Sequence, residues 1–207
     1  MSRSERFWDL ISKSYAKQTI AEDGAYKLKK EKIKSELKEG DIVFDYGCGT
    51  GSLSIELSSK VKEIHAIDIS PKMLEIAKQR IDEKGIKNIK LKKSSMDDVE
   101  FSPGSYDVVI AVNVFHFIDD VASDLNRIYE MLKPGGLFIS ETPCMGEDKN
   151  IANKFMCYLG RLGLIPRLNM FTFNSFENLI SESGFNIKYK KNLSETPRDY
   201  LVFANKI

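Results

Sequence analysis

Cysteine is scarce in this 207-residue chain, and the three present, Cys48, Cys144 and Cys157, are odd in number and never spaced as Cys-x-x-Cys. That pattern excludes a disulfide framework and offers no zinc or other metal site, so the thiols read as small buried or half-buried side chains. An excess of charge of one sign is lacking as well. With 31 basic residues against 30 acidic ones, no net field draws the protein to nucleic acid or to an anionic membrane, although a local patch stays open. No uninterrupted apolar stretch approaches the roughly 18 residues that cross a bilayer. The amino-terminal MSRSERFWDLISKSYAKQ lacks the apolar centre of a signal peptide. A cytoplasmic protein with no membrane partner is therefore expected. Internal repeats and low-complexity tracts are missing too. With 42% hydrophobic residues the chain can bury one core, so a single domain over 1–207 is expected.

What is present is a regular alternation of patterns. The lysine-rich segment 25–37 carries Leu28, Ile33 and Leu37 at helical spacing and stops at Gly40-Asp41. Ile42-Val43-Phe44 is a short apolar strand entering a glycine cluster, after which 53–57 resumes the helical period. Further strands are predicted over 63–69, 89–91, 106–114 and 137–142, the fourth being the continuous apolar run YDVVIAVNV of a doubly covered strand. Ser70-Pro71 opens a helix that runs to Gly85, and another over 119–132 meets Pro134-Gly135-Gly136. The tail adds a helical NSFENLISESG and two strand patterns, FNIKYKKNL and YLVFANKI. The SETPRD link between them is too short for anything but antiparallel neighbours. These patterns predict an α/β fold: a doubly wound, mostly parallel seven-stranded sheet with one antiparallel terminal strand and its ligand at the carboxyl ends of the strands.

In DYGCGTG, Gly47, Gly49 and Gly51 permit positive backbone angles and clear side chains from a ligand, ahead of a helix with unpaired amides. The spacing is GxGxG rather than the GxGxxG of a dinucleotide turn, and Asp45 stands two residues before the first glycine. A carboxylate there disfavours a phosphate and attracts a cation or an ammonium group. Asp68, 21 residues beyond Gly47 at the end of the second strand, is placed to accept both hydroxyls of a ribose. A ligand with a ribose, a positive group and no phosphates satisfies both acids.

DYGCGTG, AIDIS with KMLEIAK, YDVVIAVNVFHFI and LKPGGLFI together resemble, in order and spacing over 41–141, the motif series of the class I S-adenosylmethionine-dependent methyltransferases. The resemblance implies a Rossmann-like sheet, S-adenosylmethionine as cofactor and S-adenosylhomocysteine as product. It places Gly47, Cys48, Gly49 and Gly51 along the methionyl part with Asp45 near it, and Asp68 on the ribose. It also sets Ile69 and Met73 against the adenine and Asn113 towards the methionyl portion. Where the family often has Gly-Asp after the third strand, this chain has Ser94-Ser95-Met96-Asp97. Ser95 takes the acidic position and the Met96 amide serves the ring nitrogen, with Asp97 or Asp98 as substitutes or as turn caps.

Four parts follow: a helical cap (1–40), a cofactor core (41–142), an acceptor lid (143–173) and a terminal helix with an antiparallel strand pair (174–207). In FWDLISKSYAKQ, Phe7, Leu10, Ile11 and Tyr15 share a helical face with Trp8 beside it. In similar proteins such a segment closes over the cofactor and a tyrosine reaches the methionyl carboxylate; plain packing on the sheet is the alternative. The lid segment is rich in Phe, Met, Tyr and Leu, which suits a small organic acceptor or, equally, core packing. His116 is placed to act as a general base if the acceptor needs one, or to serve only as part of a turn. No Asn-Pro-Pro-Tyr or Asp-Pro-Pro-Tyr follows the fourth strand, and the basic runs lack aromatic interleaving, so a nucleic-acid partner is not expected. The reading is methyl transfer to oxygen, nitrogen or carbon of a small molecule. The alternatives are an RNA or protein methyltransferase, or a noncatalytic cofactor-binding protein.

Overall fold

The computed structural model describes residues 2–17, 24–148, 151–194 and 198–207, apart from the side chains of 152 and 154. Parts of the expected cap (18–23), lid (149–150) and terminal link (195–197) lie outside the described residues.

Seven strands form one sheet: β1 (Ile42–Tyr46), β2 (Glu63–Asp68), β3 (Ile89–Lys93), β4 (Tyr106–Val112), β5 (Leu132–Pro143), β6 (Phe185–Asn192) and β7 (Asp199–Lys206). Their order is β3-β2-β1-β4-β5-β7-β6. β1 pairs in parallel with β2 and β4, and β5 in parallel with β4, whereas β7 runs antiparallel to both β5 and β6. The single reversed strand is thus the last in the chain, inserted inside the sheet rather than added to its edge. Strand five departs from expectation by starting at Leu132, where Tyr106 pairs with it, and resuming at Leu137 after a register shift.

The helices are α1 (Arg3–Lys17), α2 (Gly24–Glu36), α3 (Ser52–Leu57), α4 (Pro71–Glu83), α5 (Val121–Met131), α6 (Ile151–Arg161) and α7 (Phe173–Glu182). Successive strand residues point to opposite faces, which divides the core in two. On one face Phe44, Val109 and Phe138 pack with Leu125 and Ile128 of α5 and with Phe176 of α7. On the other, Val43, Ile110 and Ile139 pack with Ile33 of α2 and Leu57 of α3. Each such side chain, fully buried, contributes about 1.5–3 kcal/mol. α2 also brings Lys29 Nζ to 2.5 Å from Glu141 Oε2 near the end of β5, a buried ion pair.

α1 differs from the sequence expectation in a physical detail. Its buried face is polar, made of Glu5, Asp9 and Ser12, while Leu10 is exposed. The reason is the start of α4. Ser70 caps that helix by accepting from the Met73 N–H, and Asp9 accepts from the Ser70 hydroxyl (2.6 Å) and the Lys72 N–H (3.2 Å). A carboxylate at a helix N-terminus satisfies orphan amides and meets the positive end of the dipole. Lys93 to Glu5, and Arg80 to the Ala16 carbonyl, clamp the same helix down.

Candidate active site

The sheet order turns back at β1, whose neighbours lead away in opposite directions, and the loops leaving β1 and β4 open a crevice at their carboxyl ends. A cavity of about 160 Å³ lies there. Gly47, Gly49, Asp68, Ile69 and Met73 line one side, Ser94 the end of β3, and Val112, Asn113 and Val114 the other side; Ser4, Trp8 and Tyr15 of α1 form the roof with Phe117 and Ile118.

The glycine turn needs its glycines for different reasons. Gly47, with φ 71°, would place a Cβ 2.4 Å from Val114 Cγ2, so the turn and the end of β4 touch there. At Gly49 (φ 54°) a Cβ would stand 3.9 Å from the Tyr15 ring, in the mouth of the cavity. Gly51 faces away: its Cβ would lie 3.0 Å from Ala77 Cβ, so it serves the packing of α3 on α4. Asn113 is the non-glycine residue with left-handed φ (59°) among the described residues, a conformation that asparagine tolerates. Its N–H donates to the Glu141 carbonyl at 2.8 Å, holding the loop after β4 against β5.

Asp68 joins the two sides of the turn. Its Oδ2 accepts the Gly49 N–H at 2.9 Å and its Oδ1 the Ser70 N–H at 2.8 Å. Burial raises its pKa, and these two bonds act in the opposite direction. A carboxylate has roughly four acceptor positions, so both oxygens keep capacity for further donors. The Gly49 amide is spent on a carboxylate and is not offered to a phosphate, which argues against a dinucleotide here. Apolar Ile69 and Met73 beside it provide a surface for a flat ring. Opposite, Trp8 meets Phe117 edge to face at 4.9 Å and Tyr15 at 6.2 Å, forming an aromatic wall. The Tyr15 hydroxyl pKa is raised, first by burial and then by Asp68 and Glu141.

Other residues singled out by sequence lie off the cavity wall. Asp45 is buried and accepts from the Ser54 hydroxyl at 2.5 Å, and burial pushes its pKa up to about 6. Cys48 is half-buried against the core cluster that holds Leu57 of α3, and burial raises its thiol pKa well above the ordinary value. Ser95 does not reach the cavity because its hydroxyl donates to Asp98 Oδ2 (2.6 Å) and accepts the Asp98 N–H (3.2 Å), a local turn; Met96 is in the core. Ser94, the neighbour of Ser95 just beyond β3, lines the cavity instead. His116 is buried, its pKa lowered to about 4 by desolvation, and its ring lies 3.9 Å from that of Phe117, which does reach the wall. Tyr46, Phe117 and Ile118 were not foreseen. Tyr46 bridges the wall to α5 by donating to Asp124 at 2.6 Å, and the only sequence signal for the other two was their apolar character next to His116.

A reversed last strand, a glycine turn bonded to the acid at the tip of β2, and a phosphate-averse crevice define a class I S-adenosylmethionine-dependent methyltransferase fold. Residues 37–183 match the family described as "Methyltransferase domain", and the chain belongs to that family. Its cofactor is S-adenosylmethionine. Aklanonic acid methyltransferase DauC of a Streptomyces species is 32% identical over 112 residues, which cover 53% of this chain and 51% of that protein. The ubiquinone biosynthesis O-methyltransferase of Nitrosospira multiformis is 34% identical over 132 residues, covering 62% and 53%. The chain spans about half the length of these relatives. Among solved structures, a complex between the Haloferax volcanii Trm112 methyltransferase activator and a methyltransferase matches with TM-score 0.76 at 17% identity, over 96% of this chain and 97% of that one. At that identity the likeness concerns the fold.

Proposed function

We propose that this protein transfers a methyl group to oxygen, nitrogen or carbon of a small, largely apolar acceptor. The observation that carries the reading is the joint between Asp68 and Gly49 at the floor of a crevice whose opposite wall is aromatic. The residues present fit S-adenosylmethionine. Asp68 retains acceptor capacity for ribose hydroxyls, Ile69 and Met73 suit the adenine, and Gly49 leaves open the space that a Cβ would fill beneath Tyr15. When bound, the sulfonium supplies an already activated methyl for in-line displacement, so the protein needs to bind, orient and exclude water more than to supply a nucleophile. In this reading Tyr15 and Asn113 orient the polar tail, while Trp8, Phe117 and Ile118 hold an apolar acceptor in a dry setting. His116, low in pKa and with its ring tilted against that of Phe117, acts as a positioning residue rather than as a base.

The names of the relatives in aklanonic acid and ubiquinone biosynthesis support a small organic acceptor. In this reading the lid of 143–173, rich in Phe, Met, Tyr and Leu, contributes to acceptor binding. The test is release of S-adenosylhomocysteine against phenols, quinols and amines, with RNA and protein acceptors alongside, preceded by calorimetric titration of S-adenosylmethionine. Turnover with the small acceptors supports the reading. Turnover confined to RNA or protein overturns the acceptor class, and tight binding with no turnover at all points to a noncatalytic cofactor-binding protein.

A further inference from the structure

Helix α6 carries an apolar face that the described fold leaves uncovered. Ile151, Phe155, Tyr158 and Leu162 follow one another at i, i+4, i+7 and i+11, which sets them on a single stripe, and they are 82%, 59%, 57% and 56% exposed. Leu162 extends the stripe past the helix end because its N–H still donates to the Tyr158 carbonyl at 3.0 Å. Leu164, in the next turn, is exposed too. A helix meant for the core would bury such a stripe.

Charge is segregated on the same stretch. Between Asp148 and Glu177 the sequence contains Lys149, Lys154, Arg161 and Arg167 and no acidic residue, in a chain whose totals are 31 basic and 30 acidic. The near-zero net charge thus conceals a local cationic segment.

We propose that α6 and the turn after it form a peripheral docking surface for anionic lipid, with the Ile151, Phe155, Tyr158 and Leu162 stripe among the acyl chains and Arg161 and Arg167 at the headgroups. An exposed apolar stripe within a segment that is basic and free of acids is what an interfacial helix requires, because a fluid surface needs apolar area and opposite charge but no complementary shape. A second copy of the chain is a poor occupant. A two-fold interface sets the same patch against itself, so the basic residues of one copy would face those of the other with no acids to pair them. The helix has 11 residues, too few to span the roughly 20-residue thickness of a bilayer. It lies beside the crevice rim: Asn169 donates to the carbonyls of Phe115 and Ile118, and Gly163 packs against Arg3, next to the wall residue Ser4. Docking brings the crevice close to the lipid, where an apolar acceptor concentrates, yet it does not depend on the proposed methyl transfer.

Co-sedimentation of the full chain with phosphatidylcholine vesicles, with and without phosphatidylglycerol, tests this. Binding is expected with phosphatidylglycerol, to weaken at raised salt, and to fall by roughly tenfold in Phe155→Glu while Phe155→Leu retains it. Because Phe155 is exposed, the Glu variant keeps its melting temperature, and vesicle binding is read without any acceptor, so a failed acceptor assignment leaves the vesicle result readable. Absence of binding to phosphatidylglycerol vesicles, or unchanged binding by Phe155→Glu, overturns the proposal. A concentration-dependent dimer that Phe155→Glu dissolves, without lipid binding, assigns the stripe to a second copy instead.

Discussion

The Asp68 carboxylate accepts the Gly49 N–H at 2.9 Å, tying the tip of β2 to the turn that leaves β1. One side chain therefore both shapes the turn and faces the cavity. Replacing Asp68 by alanine should weaken S-adenosylmethionine binding by about 1.5–3 kcal/mol, the range for hydrogen bonds to a charged group. Calorimetric titration checks this, and an unchanged dissociation constant would refute the role.

Gly47 should not tolerate a side chain. An added Cβ would lie 2.4 Å from Val114 Cγ2, on a stiff β-branched residue, at a φ of 71°. Gly47→Ala is expected to destabilise the fold by about 1–3 kcal/mol. Urea unfolding with an unaltered midpoint would show that the close approach of turn and strand is not maintained in solution.

Asp45 makes stability depend on pH in a definite sense. Burial raises its pKa from 3.8 to about 6, so between those values the folded state keeps a proton that the unfolded chain has lost. Stability then falls as pH rises through that window, by an amount of order 3 kcal/mol, and stays reduced above it. In Asp45→Asn this contribution is absent, so the stability of the variant relative to the parent should increase from about pH 4 to about pH 7. Unfolding curves at both pH values that give the same difference would dispose of the idea.

Lys29 and Glu141 form their ion pair away from water. Lys29→Met removes the cation and leaves its buried carboxylate partner behind, at an expected cost of about 3–5 kcal/mol, whereas Lys29→Met combined with Glu141→Leu should recover most of the loss. A double variant as unstable as the single one would mean that the cost comes from lost packing of α2.

For His116, a positioning role predicts that His116→Asn lowers kcat/KM less than about tenfold and leaves the pH profile of methyl transfer unchanged in shape, because general-base catalysis typically contributes about 10²–10⁴-fold. Loss of a hundredfold or more together with loss of the basic limb would make it the base.

Much of the architecture was legible because its signals are local. Ser70-Pro71 announced a capped helix start, and the Ser70 hydroxyl does accept from the Met73 N–H. The short link between the last two strand patterns required an antiparallel pair, and β6 and β7 are one. Gly47, Gly49, Asp68, Ile69, Met73 and Asn113 were all legible as candidates, and the fold brings them to one cavity. Ser95 was chosen over Ser94 by position in a motif, but the Ser95 hydroxyl is held by Asp98 in its own turn, and Ser94 lines the cavity. On α1, apolar periodicity set Phe7, Leu10, Ile11 and Tyr15 on one helical face, to close over the cofactor or pack on the sheet. Leu10 is exposed and Phe7 and Ile11 are half-buried, while the buried residues are Glu5, which pairs with Lys93, Ser12, and Asp9, which sits on the N-terminus of α4.

Sequence alone determined the order and type of the elements, the place of the glycine turn and the acid that answers it 21 residues later, since periodicity, caps and turn chemistry act over a few neighbouring residues. Tertiary structure decided which of those residues share a cavity and which disappear into the core. Asp45 and His116 are separated from the crevice, with their pKa values displaced in opposite directions, by burial, a quantity set by what packs over a residue from distant parts of the chain. The same long-range packing left the α6 stripe uncovered although its composition alone fitted a core helix equally well.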